Sequence, residues 1–372
     1  MGDFTKLGLK KEILSILSRL KFKESFEVQD QIIPLAMKGK NIVFTSRTGS
    51  GKTLAYLLGF LGKITKKQNT QMIVLVPTRE LCIQVGKEIK KVCDPLGINV
   101  GMLYGGREVS GDYRTLNKKN HIVIGTPGRL LVHINNKNIK VGDVKYLVYD
   151  ESDQMFDHGF YNDCVYIRQR ISKDAQVLLS SATMTEKVND FIEEVIGNYE
   201  LLQIGELIPK NIIQEKVYCD KLEKNAILLN LLSKRKFTRA MVFCNTKIKS
   251  YNISEFLQAN NFNSKSLNSD LEQAERLNHL NLFKEGKIKI LVTTDVVARG
   301  LHIENVDIIV NYDVPTKDDF YVHRIGRTGR IDKKGYSLTM ICPEDVERFE
   351  NISVKYGLDS IEVNKELKII NK

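Results

Sequence analysis

Short apolar runs that return at a fixed interval restrict this 372-residue chain more than any single motif does. Ile73-Val74-Leu75-Val76-Pro77-Thr78-Arg79 lines up with Met241-Val242-Phe243-Cys244-Asn245-Thr246-Lys247 at an offset of 168. The same offset carries His121-Ile122-Val123-Ile124-Gly125-Thr126 onto Lys289-Ile290-Leu291-Val292-Thr293-Thr294. A third pair, Tyr149-Asp150 and Tyr312-Asp313, stands at 163, as one small gap would leave it. Agreement in both the run and the loop after it points to tandem duplication; chance agreement of two unrelated α/β sheets is the alternative. Runs at Asn41–Phe44, Met72–Val76, His121–Ile124, Tyr146–Tyr149 and Gln176–Leu179 alternate with charged, helix-like segments, the pattern of βαβ units in a parallel sheet. Loops after such strands share one sheet edge, where ligands bind. The length also exceeds one ordinary core. The fold expected is therefore α/β, two tandem domains, each a parallel sheet flanked by helices. Their expected bounds are 1–205 and 212–372, with 206–211 as a linker bracketed by Gly205 and Pro209.

The stretch Phe44-Thr45-Ser46-Arg47-Thr48-Gly49-Ser50-Gly51-Lys52-Thr53 sits between a strand-like run and the helix-like start Leu54-Ala55-Tyr56-Leu57-Leu58. Gly49 and Gly51 let backbone N–H groups turn inward, where a Cβ would block phosphate oxygens. Lys52 is placed to reach β/γ-phosphates, and the Thr53 hydroxyl to ligand Mg²⁺ at the positive end of the helix. Ser46 stands where the longer phosphate-loop pattern has glycine, so the match is to the T-G-x-G-K-T core; a structural glycine turn is the competing reading. Carried forward by 168, Lys52 falls on Asp220, where no glycine cradle exists. One copy is thus expected to hold nucleotide and its sibling not.

Lys and Arg number 56 against 45 Asp and Glu, a net charge of +11 that favours a polyanionic partner, although a generally basic protein would show the same excess. Six scattered cysteines lack C-x-x-C pairing and nearby histidines, which argues against zinc or a disulfide framework and for a reducing compartment. No apolar N-terminal run precedes the first helical pattern, and Leu54 to Leu61 is too short to span a bilayer, so a soluble cytoplasmic protein without a membrane partner is expected. Residues 7–20 carry a helical period with a basic face.

Tyr146-Leu147-Val148-Tyr149 ends in Asp150-Glu151-Ser152-Asp153. Carboxylates at a strand's C-terminal end beside a phosphate loop suit Mg²⁺ binding by Asp150 and activation of water by Glu151. Tyr321-Val322-His323-Arg324-Ile325-Gly326-Arg327-Thr328-Gly329-Arg330 gathers three arginines in the copy that lacks the cradle. A basic surface loop is the plain reading, and an arginine-finger pair, Arg327 and Arg330, is the functional one.

With these residues together, the chain resembles a DEAD-box RNA helicase of the two-RecA-domain superfamily over nearly its whole length. Asp150-Glu151-Ser152-Asp153 is similar to the family signature, with Ser152 for alanine. The resemblance implies catalytic roles for Lys52, Asp150, Glu151, Arg327 and Arg330. It implies ATP contacts from Phe22, Gln29, Ser46, Thr48, Gly49, Ser50, Gly51, Lys52, Thr53 and Gly300, with Mg²⁺ at Thr53 and Asp150. Gln29 is the implied adenine reader, since its amide can pair with N6 and N7, and Phe22 is its implied stacking partner. RNA contacts are implied for Pro77, Arg79, Gly106, Arg107, Thr126 and Arg129 in the first domain, and for Thr246, Gln273, Arg276 and Thr293 in the second. Asp153, Ser181, Thr183 and His323 are the implied couplers between the domains. The first domain would be the ATP-binding one and the second the helicase C-terminal one, both RecA-like.

The function this implies is RNA-dependent ATP hydrolysis that locally opens short duplexes, with sequence-tolerant binding of single-stranded RNA. A monomer is expected, with any targeting supplied by a protein adaptor. Residues alone do not choose RNA over DNA, so a DNA translocase on the same core stays open, as does an ATP-gated RNA clamp with little turnover. Three departures stand out: Asn268-Ser269-Asp270 for the family's His-Gly-Asp, Ser152 for alanine, and His302 for an aspartate implied to contact ribose. His302→Asp is expected to tighten ATP binding in the presence of RNA; an apparent affinity that does not move refutes the ribose assignment.

Overall fold

Among the described residues, fourteen strands account for the two halves seen in the sequence. The computed structural model describes residues 2–46, 49–106, 108–206, 208–298, 303, 306–329 and 334–370, with the side chains of Gln273 and Val296 not among those described. The chain divides into two units, Met1–Gly205 and Glu206–Lys372. In the first, β1 (Ile42–Ser46), β2 (Met72–Leu75), β3 (Val100–Leu103), β4 (Ile122–Gly125), β5 (Tyr146–Tyr149), β6 (Gln176–Ser181) and β7 (Glu200–Ile204) form one sheet in the order β3-β4-β2-β5-β6-β1-β7. In the second, β8 (Ile212–Tyr218), β9 (Ala240–Phe243), β10 (Ser264–Leu267), β11 (Ile290–Thr293), β12 (Ile308–Asn311), β13 (Gly335–Ile341) and β14 (Ile361–Glu362) are ordered β10-β11-β9-β12-β13-β8-β14. Strand for strand the order is the same, and the pairings are parallel throughout.

Helices cover both faces of each sheet, which is why the strands are apolar runs rather than alternating ones. Along β1 and β2, Ile42, Phe44, Met72 and Val74 enter one core while Val43, Ile73 and Leu75 enter the other. The second unit repeats this, with Ala240 and Val242 in one core and Met241 and Phe243 in the other. All six cysteines are buried and none is in a disulfide. Among the described residues no helix is long and apolar enough to cross a membrane.

Three local readings need correction. The helical period over residues 7–20 resolves into a 3-10 turn, Phe4–Leu7, and a helix, Lys11–Arg19, whose Ile13, Ile16 and Leu17 are buried; Gly8 in the left-handed region (φ 73) separates them. Register also moves the third repeat pair. Leu75 pairs with Tyr149 and Phe243 with Asn311, so the counterpart of Tyr149 is Asn311 and the spacing is 162 residues, one fewer than similarity suggested. The extra residue is absorbed at Phe243, whose carbonyl accepts from both Tyr312 N–H (3.0 Å) and Asp313 N–H (3.3 Å). Finally, Thr45 pairs with Ser181 and Tyr218 with Ile341, which makes Tyr218 the counterpart of Thr45. The helix after β1 opens at Lys52 and the helix after β8 opens at Lys224. The counterpart of Lys52 is therefore Lys224, not Asp220, because the intervening loop has a different length.

Candidate nucleotide site and nucleic-acid face

The phosphate loop follows β1 at the C-terminal edge of the first sheet. Gly49 (φ 77) and Gly51 (φ 89) hold left-handed conformations, and Gly51 caps the helix Lys52–Leu61. A Cβ on Gly51 would lie 2.5 Å from Gln29 Nε2 and 2.9 Å from Phe26 Cδ2, so glycine is required by space as well as by φ. Lys52 is buried, and its Nζ donates to the Ser46 carbonyl at 3.2 Å. The hydroxyls of Ser46 and Ser50 lie 3.0 Å apart. Thr48 lies outside the described residues. The open first turn of this ten-residue helix offers backbone N–H donors to an anion, and a lysine beside it supplies the charge.

Gln29, buried in the helix Glu27–Met37, joins that helix to the loop. Its Oε1 accepts from Phe26 N–H at 2.9 Å and its Nε2 donates to the Gly51 carbonyl at 3.2 Å. A primary amide has two donors and two lone pairs, so one of each is left for a purine edge. Phe22 is 39 % exposed.

Asp150 follows β5, two places along the sheet from β1. Its Oδ1 accepts from the Ser180 hydroxyl at 2.5 Å and its Oδ2 from the Tyr56 hydroxyl at 3.2 Å. Burial, with the Asp150 charge adding to it, pushes the Tyr56 phenol well up, so it stays protonated as a donor. Glu151 sits at φ 57, ψ 53, a left-handed conformation for a residue with a Cβ. Ser180 Oγ accepts its N–H at 3.3 Å, and Gln154 Nε2 donates to its carboxylate at 2.7 Å. The Ser152 hydroxyl, which departs from the alanine pattern, donates to the Ser180 carbonyl at 3.1 Å and is thus satisfied. Asp153 Oδ2 accepts from both Thr183 N–H (3.0 Å) and Thr183 Oγ1 (2.9 Å), while Ser181 Oγ donates to the Thr183 carbonyl at 2.7 Å. A lysine, a helix N-terminus, a half-buried threonine and a carboxylate held by neutral donors fit a nucleotide triphosphate with a divalent cation.

On the other half of the same edge lie the loops after β2, β3 and β4. Thr78 caps the helix Arg79–Cys93 by accepting from Leu81 N–H. The Arg79 guanidinium lies 5.1 Å from the Tyr104 ring centroid, and a Cβ on Gly106 (φ 79) would stand 3.6 Å from Arg79 Nη1. Thr126 Oγ1 accepts from Gly105 N–H at 3.4 Å, tying that turn to Thr126-Pro127-Gly128-Arg129. Pro77 is buried at the base of this face. Arg129 differs from a free phosphate binder: its side chain is 8 % exposed and pairs at 2.9 Å with the buried Asp112, which also meets His133 Nε2 at 2.9 Å. Arg107 lies outside the described residues.

In the second unit the corresponding loops follow β9, β10 and β11. Thr246 is exposed and caps the helix Lys247–Ala259 by accepting from Lys249 N–H, as Thr78 does 168 residues earlier. Thr293 is fully buried, with its hydroxyl donating to the Leu267 carbonyl at 2.9 Å, so its side chain serves the sheet. Arg276, in the helix Gln273–Lys284 opened by Gln273, donates through Nη2 to the Val297 carbonyl at 3.4 Å. Among the described residues its Nε is a buried donor with no hydrogen-bond partner. Asn268, in place of the family's histidine, donates to Ser250 Oγ at 3.1 Å and accepts from Asp270 N–H at 3.0 Å.

Of the clustered arginines, Arg324 is structural: Nε and Nη2 grip Asp295 at 2.6 and 2.7 Å, and Nη1 donates to the Asp313 carbonyl at 2.7 Å. Arg327 and His323 are buried. Arg330, Gly300 and His302 lie outside the described residues. Sequence reasoning missed Tyr56, Ser180, Tyr104 and Asp112. The one signal available was a polar residue inside an apolar period, as at Ser180 in Leu178-Leu179-Ser180-Ser181.

Two family models match the chain, DEAD/DEAH box helicase over residues 26–191 and helicase conserved C-terminal domain over residues 223–332. The chain is 39 % identical over 349 residues to the ATP-dependent RNA helicase CshA of Listeria monocytogenes, covering 93 % of this chain and 67 % of that one. It is similar to the solved structure of S. cerevisiae Dbp5 bound to RNA and ADP BeF3, with a TM-score of 0.87, 27 % identity and coverage of 98 % and 96 %. A structure of S. cerevisiae Dbp5 bound to Gle1 and IP6 aligns with a TM-score of 0.83 at 27 % identity, covering 98 % and 95 %.

Ser180→Ala removes the hydroxyl shared by Asp150 and the Glu151 N–H. A loss of about 1–3 kcal/mol in the stability of the first unit is expected, read as a lower urea midpoint at unchanged slope. A midpoint equal to that of the wild type would show that the hydroxyl supports neither group.

Proposed function

This chain belongs to the DEAD/DEAH box helicase family, and on that premise we propose that it is an RNA-dependent ATPase that locally opens short RNA duplexes. The observation that carries the reading is the meeting, at one sheet edge, of the Lys52 loop, the Asp150 carboxylate and the Asp153–Thr183 link. Lys52 and the first turn of its helix would bind the phosphates, and Thr53 with Asp150 would hold Mg²⁺. When bound, Mg²⁺ would offset the negative charge of the phosphates.

Among the described residues, Asp150 accepts hydrogen bonds from the Tyr56 and Ser180 hydroxyls, neutral donors that orient the carboxylate without cancelling its charge. Glu151 is held by Gln154 and a left-handed backbone, and would orient water and take its proton. Gln29 would read adenine with its remaining donor and lone pair, and Phe22 would stack. Ser46, Gly49, Ser50 and Gly51 would line the phosphates with Thr48, and Gly300 would approach the nucleotide from the second domain. Arg327 and Arg330 would supply guanidinium charge to the γ-phosphate, so that hydrolysis depends on the two domains acting together.

RNA would run along the loops after β2, β3 and β4 and their second-domain counterparts. Arg79, Arg107 and Arg276 are the proposed backbone contacts, helped by Gly106, Thr126, Thr246 and Gln273. Pro77, Arg129 and Thr293 would shape the face from beneath, since Arg129 already engages Asp112 and Thr293 the β10 carbonyl. Asp153, Ser181, Thr183 and His323 would couple RNA to hydrolysis. ATP and single-stranded RNA together would close the domains and bend one strand, shedding its partner; hydrolysis would reopen the clamp. The bound RNA and ADP BeF3 of the Dbp5 relative support this chemistry, and Gle1 on the same relative supports an adaptor as the source of targeting. We place the protein in the cytoplasm as a monomer.

Glu151→Gln is expected to keep ATP and RNA bound while lowering turnover by about 10²-fold or more, measured as phosphate release. Normal turnover in that variant removes Glu151 as the base. Strand displacement is expected on an RNA–RNA duplex and to weaken steeply with salt; preference for a DNA–DNA duplex rejects the RNA assignment.

A further inference from the structure

The same place in the two duplicated sheets has met opposite fates. In the first unit the loop after β1 carries glycines and leaves the strand-end carboxylate, Asp150, to neutral donors. In the second, the loop Asp220-Lys221-Leu222-Glu223 has no glycine, and Lys224 opens the helix Lys224–Lys234. Lys224 is the topological counterpart of Lys52, yet its ammonium crosses to the end of β12. There it donates to the Tyr312 carbonyl at 2.6 Å and to Asp313 Oδ1 at 3.1 Å. The two side chains are 4 % and 5 % exposed. An ammonium group thus sits beside the strand-end carboxylate, where a nucleotide site holds its cation.

Asp313 does more than pair with Lys224. Its Oδ2 accepts from Asn245 N–H at 3.1 Å, and Asn245 Nδ2 donates to the next carbonyl, that of Val314, at 2.9 Å. These bonds fasten the turn whose following residue, Thr246, is exposed at the start of its helix. Lys249 also reaches Asp313, at 3.0 Å, but its side chain is half-exposed and is able to turn toward a phosphate. Lys224 is enclosed and stays. Burial pushes the Asp313 carboxyl up, but Lys224, the Asn245 N–H and Lys249 outweigh it and hold it below the ordinary range.

We infer that the Lys224–Asp313 pair is a second nucleotide site closed by its own lysine, and that it now serves as a positioning device for RNA, holding the Asn245–Thr246 turn in its binding shape. The inference rests on the RNA helicase reading given above. Lys224 touches neither RNA nor ATP; it acts through Asp313 and Asn245.

The test uses the full chain and compares two affinities in each variant, for a labelled oligo(U) by fluorescence anisotropy and for fluorescent ADP. Lys224→Met is expected to weaken oligo(U) binding about tenfold or more, with ADP affinity little changed and faster hydrogen exchange at the Asn245 amide. Lys224→Met combined with Asp313→Asn leaves no buried charge to neutralise and keeps an oxygen for the Asn245 N–H, so RNA affinity should recover toward wild type. Unchanged RNA binding in Lys224→Met overturns the inference, as does a double variant that binds no better than the single. Should Lys224→Met not fold, the double variant decides alone: near-wild-type RNA affinity supports the inference and a tenfold loss overturns it. A wild-type chain that binds no RNA overturns the helicase reading instead.

Discussion

Parallel strands buried on both faces leave the chain one kind of place for polar chemistry, the loops beyond the strand ends. Each strand here runs in the same direction as its neighbours, so all the loops that follow strands reach one edge of their sheet. Strand order then sorts them. In the first unit β5, β6 and β1 lie side by side, and so do β3, β4 and β2. The edge is therefore divided, with the phosphate loop and carboxylates on one half and the Arg79, Gly105 and Thr126 turns on the other. Neither half needs a domain of its own, because the order of crossovers has separated them.

What the sequence discloses and what it hides follows from the range over which each residue acts. Gly49 through Thr53 and Asp150 through Asp153 were legible because a cradle and a strand-end acid are local patterns. The duplication was legible too, since strand and following loop repeat together. Tyr56 and Ser180 were not, because they reach Asp150 across 94 and 30 residues and only the register of separate strands brings them there. The ion pair of Arg129, an implied RNA contact, was not legible either: its partner, Asp112, lies 17 residues upstream in a segment without a strong pattern. The counterpart of Lys52 was misplaced by a fixed offset for a related reason. Similarity keeps count along the chain, whereas hydrogen-bond ladders do not.

A buried carboxylate must be either neutralised or oriented, and the two copies of the domain take one course each. Hydroxyl donors from Tyr56 and Ser180 fix the direction of Asp150 without supplying positive charge. That leaves the Asp150 charge available for the Mg²⁺ role proposed above. Asp313 has an ammonium on it already. With its charge met internally the strand end becomes a strut, free to brace the Asn245 turn. In the inference drawn above, a closed nucleotide site and a gained brace are two sides of one substitution of charge.

The end of β6 shows how far such bracing can extend. Ser180 Oγ touches the Asp150 carboxylate and the Glu151 N–H, the Ser180 carbonyl takes the Ser152 hydroxyl, and Thr183 binds Asp153 twice. Four consecutive residues of the acidic turn are thus hydrogen-bonded to two residues, Ser180 in β6 and Thr183 just beyond its end. The left-handed backbone at Glu151, a strain of about 1–3 kcal/mol, persists because its neighbours on both sides are held by these bonds. A shift of the Ser180–Thr183 segment cannot reach Asp153 alone; it must carry Asp150 and Glu151 with it. The coupling proposed for Asp153 and Thr183 would therefore have a physical route to Asp150 and Glu151 through adjacent hydrogen bonds within one unit.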